Sequence, residues 1–206
     1  MPLLRPKLFW PVIIVAGILF AGAASAAGFL WGVYYKHWDT PFVAKVADVT
    51  PLPAARIGAR TILYRNYLRD VRSVERYLSS DEAKSINVSR PMTDDDRKNA
   101  LERLLREAAL DELAEARNVT VSEAQMQEAM QTLNLTSTTT KEFEDLIAKN
   151  FGWTMEDFKT HVVRPSLLTN VMTSSYAVDH GNDPKALEKY LDERMQEKDV
   201  VRYVKF

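Results

Sequence analysis

The residues able to do chemistry are few and scattered. The 206-residue chain has no cysteine and three histidines, His37, His161 and His180. Lack of cysteine removes thiol nucleophiles, disulfides and cysteine-metal sites together. The histidines lie too far apart for a ligand set or a nucleophile–base pair to be read, and His161 reads as a helix-surface residue rather than a base. Carboxylates are abundant, but no spacing singles out an acid–base couple, and no glycine-rich phosphate loop is present. No catalytic residue, metal ligand or cofactor site is therefore expected. What remains is apolar. Met126, Met130, Phe143, Phe151, Trp153 and Phe158, with Tyr64 and Tyr67, are the types that make a yielding binding surface, because methionine is flexible and aromatic faces are broad. The same residues at helical spacing are also what a core requires, so each carries a packing reading beside the binding one.

The elements that must position them are helices. Thr93-Asp-Asp-Asp96, Ser122-Glu-Ala-Gln125, Thr139-Thr-Lys-Glu142 and Thr154-Met-Glu-Asp157 each place a hydroxyl three residues before an acid or amide. The hydroxyl accepts from a first-turn N–H, and the later side chain bonds back to the cap. Val121 with Met126 and Trp153 with Phe158 have the spacing of hydrophobic staples. Asn118 and Asn150-Phe-Gly152 are stop signals. Between these marks run apolar stripes. The first helix carries Leu101, Leu104, Leu105, Ala108, Ala109, Leu113 and Ala116, with Glu112 as its polar interruption. The second has Met126, Ala129, Met130 and Leu133. The third has Phe143, Leu146, Ile147 and Phe151, and the fourth Phe158, Val162, Leu167, Leu168, Val171 and Met172. Stripes of this kind must be buried against one another, so a mostly α domain follows.

These helices carry a resemblance. Ala100-Leu-Glu-Arg-Leu-Leu-Arg-Glu-Ala-Ala-Leu110, Asn118-Val-Thr-Val-Ser-Glu123, Phe151-Gly-Trp-Thr-Met-Glu-Asp-Phe158 and Val162-Val-Arg-Pro165 resemble the N-terminal helical domain of SurA-type chaperones. That domain also occurs in membrane-anchored foldases of the PpiD and PrsA type and resembles part of trigger factor. The likeness covers roughly residues 54–176. Ile57-Gly58-Ala59 stands where the family often has Val-Asn-Gly. In such foldases a parvulin-type prolyl isomerase domain of about 90 to 100 residues would follow. The resemblance implies that expectation, and the present sequence stops where such a domain would begin.

Residues 8–35 contain no charge. At 1.5 Å per residue such a run crosses a hydrocarbon core of about 30 Å. Trp10 precedes most of it, and Trp31, Tyr34, Tyr35 and Trp38 close it as an aromatic belt. Ala24-Ser-Ala26 would suit signal peptidase, but the apolar run continues past it, which favours a retained anchor over a cleaved signal peptide. The short leading tail and the family resemblance favour an inside N-terminus, with the domain on the periplasmic side of a cell membrane. Ala24, Gly28 and Gly32 form a small-residue row through which two anchors could pair as a homodimer. Ordinary glycine content of a membrane helix is the simpler account of that row.

The remaining organisation follows composition. Residues 1–35 read as tail and transmembrane helix, 36–53 as a proline-bearing linker, 54–180 as the helical domain, and 181–206 as a final helix and short strand. Residues 54–63 suggest a hairpin around Gly58. Tyr64, Leu68, Val71, Val74 and Leu78 mark one face of a following helix, and Arg65, Arg69, Arg72 and Arg76 stack along another. Residues 94–159 hold 15 acids and 8 bases. Opposite signs within one domain suggest that the arginine stripe pairs internally; anionic headgroups or acidic clients are the other reading. Net charge is −1, and no basic domain supports nucleic-acid binding. Ser79–Pro91 and Asn134–Thr140 read as polar connections. Three sequon-like patterns at Asn87, Asn118 and Asn134 recur by chance at this length. Pro165 should kink its helix near His161.

The expected role is therefore binding rather than turnover: a membrane-anchored, extracytoplasmic, chaperone-like domain for unfolded or newly translocated polypeptides. Two alternatives stay open. The chain could be the N-terminal part of a prolyl isomerase, or a membrane scaffold that docks one fixed partner.

Overall fold

A computed structural model describes residues 6–134 and 140–206, with side chains described for 20–133 and 141–206. Ten α-helices and three short strands occur among the described residues. Helix α1 (Pro6–Tyr35) leads into α2 (Pro41–Val49), then strands β1 (Pro53–Ile57) and β2 (Arg60–Leu63). Helices α3 (Tyr64–Leu78), α4 (Asp81–Ser85), α5 (Asp94–Ala116), α6 (Glu123–Asn134) and α7 (Thr140–Phe151) come next. A short α8 (Met155–Phe158), a π turn (Lys159–Val163) and α9 (Arg164–Asp179) run on as one helix. Helix α10 (Ala186–Arg194) and β3 (Val201–Arg202) complete the order. Among the described residues no helix is long and apolar enough to cross a membrane. The expected span of residues 8–35 begins among side chains outside the described set.

Three of the four helix starts form as their spacing requires. Thr93 and Thr154 each cap and are capped in turn by Asp96 and Asp157. Ser122 accepts from the Gln125 N–H at 3.3 Å while the Gln125 amide oxygen takes the Ser122 N–H at 2.8 Å. The fourth, at Thr139, lies outside the described residues. The Asn118 stop is a full Schellman closure. Asn118 sits at φ 55°, its N–H bonds the Glu115 carbonyl, and Val119 N–H bonds Ala114.

The hairpin forms around Gly58 at φ 53°, with Ile57 opposite Arg60. Strand β1 is the middle of the sheet, in the order β2-β1-β3. Its other edge takes the C-terminal strand, with Ala55 opposite Arg202. The last residues then reach the end of α1. Lys205 N–H bonds the Tyr34 carbonyl at 2.9 Å, His37 donates to the Lys205 carbonyl, and Phe206 stacks on His37. Residues 181–206, expected as a final helix and short strand, share the main core: Leu187, Leu191, Met195 and Val204 are buried with Leu101, Leu105 and Met172. Each such side chain contributes about 1.5–3 kcal/mol by leaving water.

Helix α5 is the axis of this core and packs against β1, α3, α9 and α10. Its polar interruption, Glu112, accepts from Arg194 at 3.2 Å. That guanidinium is itself buried and also donates to Asp199 and Glu197.

Three expectations need correction. The linker contains α2, because Thr40 caps Val43 N–H and Pro41 takes the first helical position, where its missing N–H costs nothing. The polar stretch after α3 likewise contains α4, capped by Ser80. On α7, Ile147 is buried but Leu146 is exposed, since that helix packs along a narrow line against α3. At Gly32, a Cβ would lie 2.4 Å from the Trp38 ring. The gap at Gly32 is thus filled from within the chain, while Gly28 faces open space.

Candidate functional site

Pro165 gives the site its shape. Having no N–H, it leaves the His161 carbonyl without its usual helical donor. The helix answers with the π turn just before it, where Arg164 N–H bonds the Lys159 carbonyl five residues back. The π turn lies at His161, where the kink is expected. His161 and Val162 line a groove of about 1020 Å³ bounded by α3, α5, α9 and α10.

One wall of the groove is an aromatic row. Tyr77 of α3 stacks on Phe151 with centroids 5.2 Å apart and planes 4° apart. Phe151 stacks on Trp153 at 5.6 Å, and Trp153 meets His161 at 6.0 Å. All four line the groove, as does Phe158, whose ring meets Phe143 edge-on at 5.4 Å. Gly152 makes the corner between α7 and α8 at φ 71°, with Arg76 packed where a Cβ would stand. A side chain there would be strained and would displace Arg76.

The floor is charged. Arg103 of α5 donates to Asp70 of α3 and to Glu107, one turn along α5. Asp70 is 2% exposed and its second oxygen has no partner. Burial pushes Glu107 up to about 7, against the pull of Arg103. Burial raises Asp70 too, again opposed by Arg103. His161 is shifted the other way, lowered by burial and by the nearby Arg69. At the rim, Glu102 takes a two-pronged bond from Arg202 and Arg106 pairs with Asp192.

Of the eight residues expected to bind polypeptide, Phe151, Trp153 and Phe158 come together on the groove. Phe143 supports Phe158 from behind. Met130 is buried and Met126 half-buried on α6, away from the groove lining. Tyr64 and Tyr67 are fully buried core residues, and Tyr64 donates to the carbonyls of Val33 and Trp38. Of the second staple pair, Trp153 packs on Phe151 and His161, and Phe158 on Phe143. The histidines stay separate, His37 at the end of α1, His161 in the groove and His180 stacked on Tyr176. Sequence reasoning misses Tyr77, Asp70, Arg103 and Glu107 as site residues. Tyr77 lies three residues beyond Val74 of the apolar face, and that spacing is its only signal.

Three arginines of the stripe pair internally, with carbonyls, while the buried Nε of Arg69 has no hydrogen-bond partner among the described residues. Arg65, Arg72 and Arg76 donate to the main chain at Asp48, Asp39 and Ala148. The acids of α5 are taken by other cations: Arg60 on Glu115 and Arg164 on Asp111.

Comparison with known proteins adds one match. A family model described as the SurA-like N-terminal domain matches residues 4–172. No curated protein and no solved structure matches the chain at a significant level.

Proposed function

The chain belongs to the SurA-like N-terminal domain family, and on that premise we propose that it binds unfolded or newly translocated polypeptides in the groove between α3, α5, α9 and α10. The observation that carries this reading is the aromatic row Tyr77–Phe151–Trp153, half-buried and lining a groove of about 1020 Å³. Flat rings accept apolar side chains of varied shape. The carboxylates and guanidiniums of floor and rim offer hydrogen bonds to a backbone that has no helix or sheet of its own. Family membership supports the chaperone-like role.

Helix α1 would hold the domain at a membrane, with its N-terminus inside and residues 36–206 outside, on the periplasmic side. Two observations support the anchor. Residues 8–35 carry no charge. Trp31, Tyr35, Trp38 and Phe42 are all exposed where α1 ends and α2 begins, as amphipathic rings are at a headgroup layer.

The test uses the full chain in detergent micelles and a chemically denatured protein whose aggregation is followed by light scattering. A concentration-dependent delay is expected. No delay, with the chain shown to be folded by circular dichroism, would overturn the reading.

A further inference from the structure

The groove floor is unbalanced in charge, and, given that the groove binds polypeptide as proposed, the imbalance bears on which segments it takes. The lining holds four carboxylates, Asp70, Glu102, Glu107 and Glu188, against two guanidiniums, Arg103 and Arg106. Glu102 and Arg106 are each satisfied from the rim, by Arg202 and Asp192. At the centre Arg103 alone serves both Asp70 and Glu107. Asp70 is shut in behind it with one oxygen unpartnered. Glu107 spends Oε1 on Arg103 and keeps its side chain 24% exposed. Arg69 sets its charge against Asp70 without a hydrogen bond, so Glu107 is the carboxylate left under-compensated. A partly buried surplus of negative charge is costly until a proton or another cation offsets it.

We infer that the groove selects segments in which a lysine or arginine lies beside an apolar residue. The apolar side chain rests on the Phe151–Trp153 wall. The cationic head bonds the free oxygen of Glu107, with Asp70 adding its charge from behind. Among the described residues, no other group facing Glu107 removes the surplus. From α5 come Arg103 and Asp111, and Asp111 is bonded to Arg164 of α9 at 3.0 Å. From α3 come Asp70 and Arg69, and the Arg69 charge acts on Asp70 while Arg69 bonds neither carboxylate. The π turn brings His161, which burial keeps toward its neutral form. In the empty groove a proton on Glu107 offsets the surplus, and burial favours that proton. A bound cation replaces it, so binding releases a proton and strengthens as pH rises through neutrality.

The experiment compares two fluorescein-labelled peptides of glycine and serine, both carrying one phenylalanine, one with a nearby lysine and the other with glutamine in its place. Anisotropy is measured with the full chain in detergent micelles at pH 6 and pH 8. At pH 8 the lysine peptide should bind about tenfold tighter, the size expected of a charge-assisted bond. The ratio should shrink at pH 6, and Glu107→Gln should remove most of it at pH 8. Equal, measurable binding of both peptides at pH 8 would overturn the cation selection and leave the groove reading standing. A preference that survives Glu107→Gln would also overturn it. If neither peptide binds, both readings fall.

Discussion

The indole of Trp153 stacks on the ring of Phe151, with 5.6 Å between centroids and 27° between planes. The pair stands at the corner turned by Gly152 and lines the groove, with Tyr77 stacked on Phe151 and Arg76 packed against Gly152. On the proposed reading this half-buried indole would serve packing and binding together. Trp153→Ala should therefore lower stability by about 2 kcal/mol, roughly half the cost in a closed core, and weaken client binding more than that loss explains. Urea melts beside the aggregation assay measure both. A full core-sized destabilisation with unchanged binding would make Trp153 purely structural.

Glu107 should make stability depend on pH. Its folded pKa of about 7 lies above the ordinary glutamate value. The folded state therefore holds the proton more tightly than the unfolded chain between those values. The resulting stability is present in full below the unfolded pKa and is lost as pH rises through about 7. Relative to Glu107→Gln, the wild type should lose about 2–3 kcal/mol between pH 5 and pH 8. Asp70, also raised by burial, acts in the same direction. Parallel stability curves for the two proteins would contradict the shift.

Arg194 joins α10 to α5 and to the segment leading into β3 through Glu112 and Asp199. Its guanidinium is buried while those acids are partly exposed. Arg194→Met should cost about 2 kcal/mol, below the range for a fully buried pair because water can reach the orphaned acids. Because residues 181–206 share the core, the loss should appear in one cooperative transition. An early, separate melt of the C-terminal segment would contradict the shared core.

Thr93→Ala should cost about 1 kcal/mol, since it removes the hydroxyl that accepts from Asp96 N–H. Thr93→Ser should restore most of it. Equal stability of the alanine and serine variants, by thermal melts, would show that the cap is not what fixes the start of α5.

Elements declared by neighbours in the chain are legible in the sequence. Caps at Thr93, Ser122 and Thr154, the Asn118 stop and the hairpin at Gly58 depend on residues within a few positions. The Thr40-Pro41 start of α2 is equally local, but the prolines at 51 and 53 mark a break more strongly than Thr40 marks a start. Tyr64 and Tyr67 stand four residues before Leu68 and Val71, an i, i+3, i+4, i+7 set that belongs inside. Their polar tips suggest a surface that the core does not leave them. Phe151, Trp153 and Phe158 are legible because they sit on the corner itself. The Arg103–Glu107 pair is local to α5, four residues apart, but Asp70 is not legible, because it meets them only when α3 packs on α5. No spacing along the chain records a charge shared across two helices.

An unfolded chain proposed to lie in the groove can be located directly by photo-crosslinking. A benzophenone amino acid at Thr169 or Asn99, both exposed on the groove lining, should crosslink to a reduced, carboxymethylated client. The same group at exposed Gln127 of α6 should not, and Trp153→Ala should weaken the groove crosslinks. Equal crosslinking from all three positions, or crosslinking from Gln127 alone, would contradict the groove as the binding site.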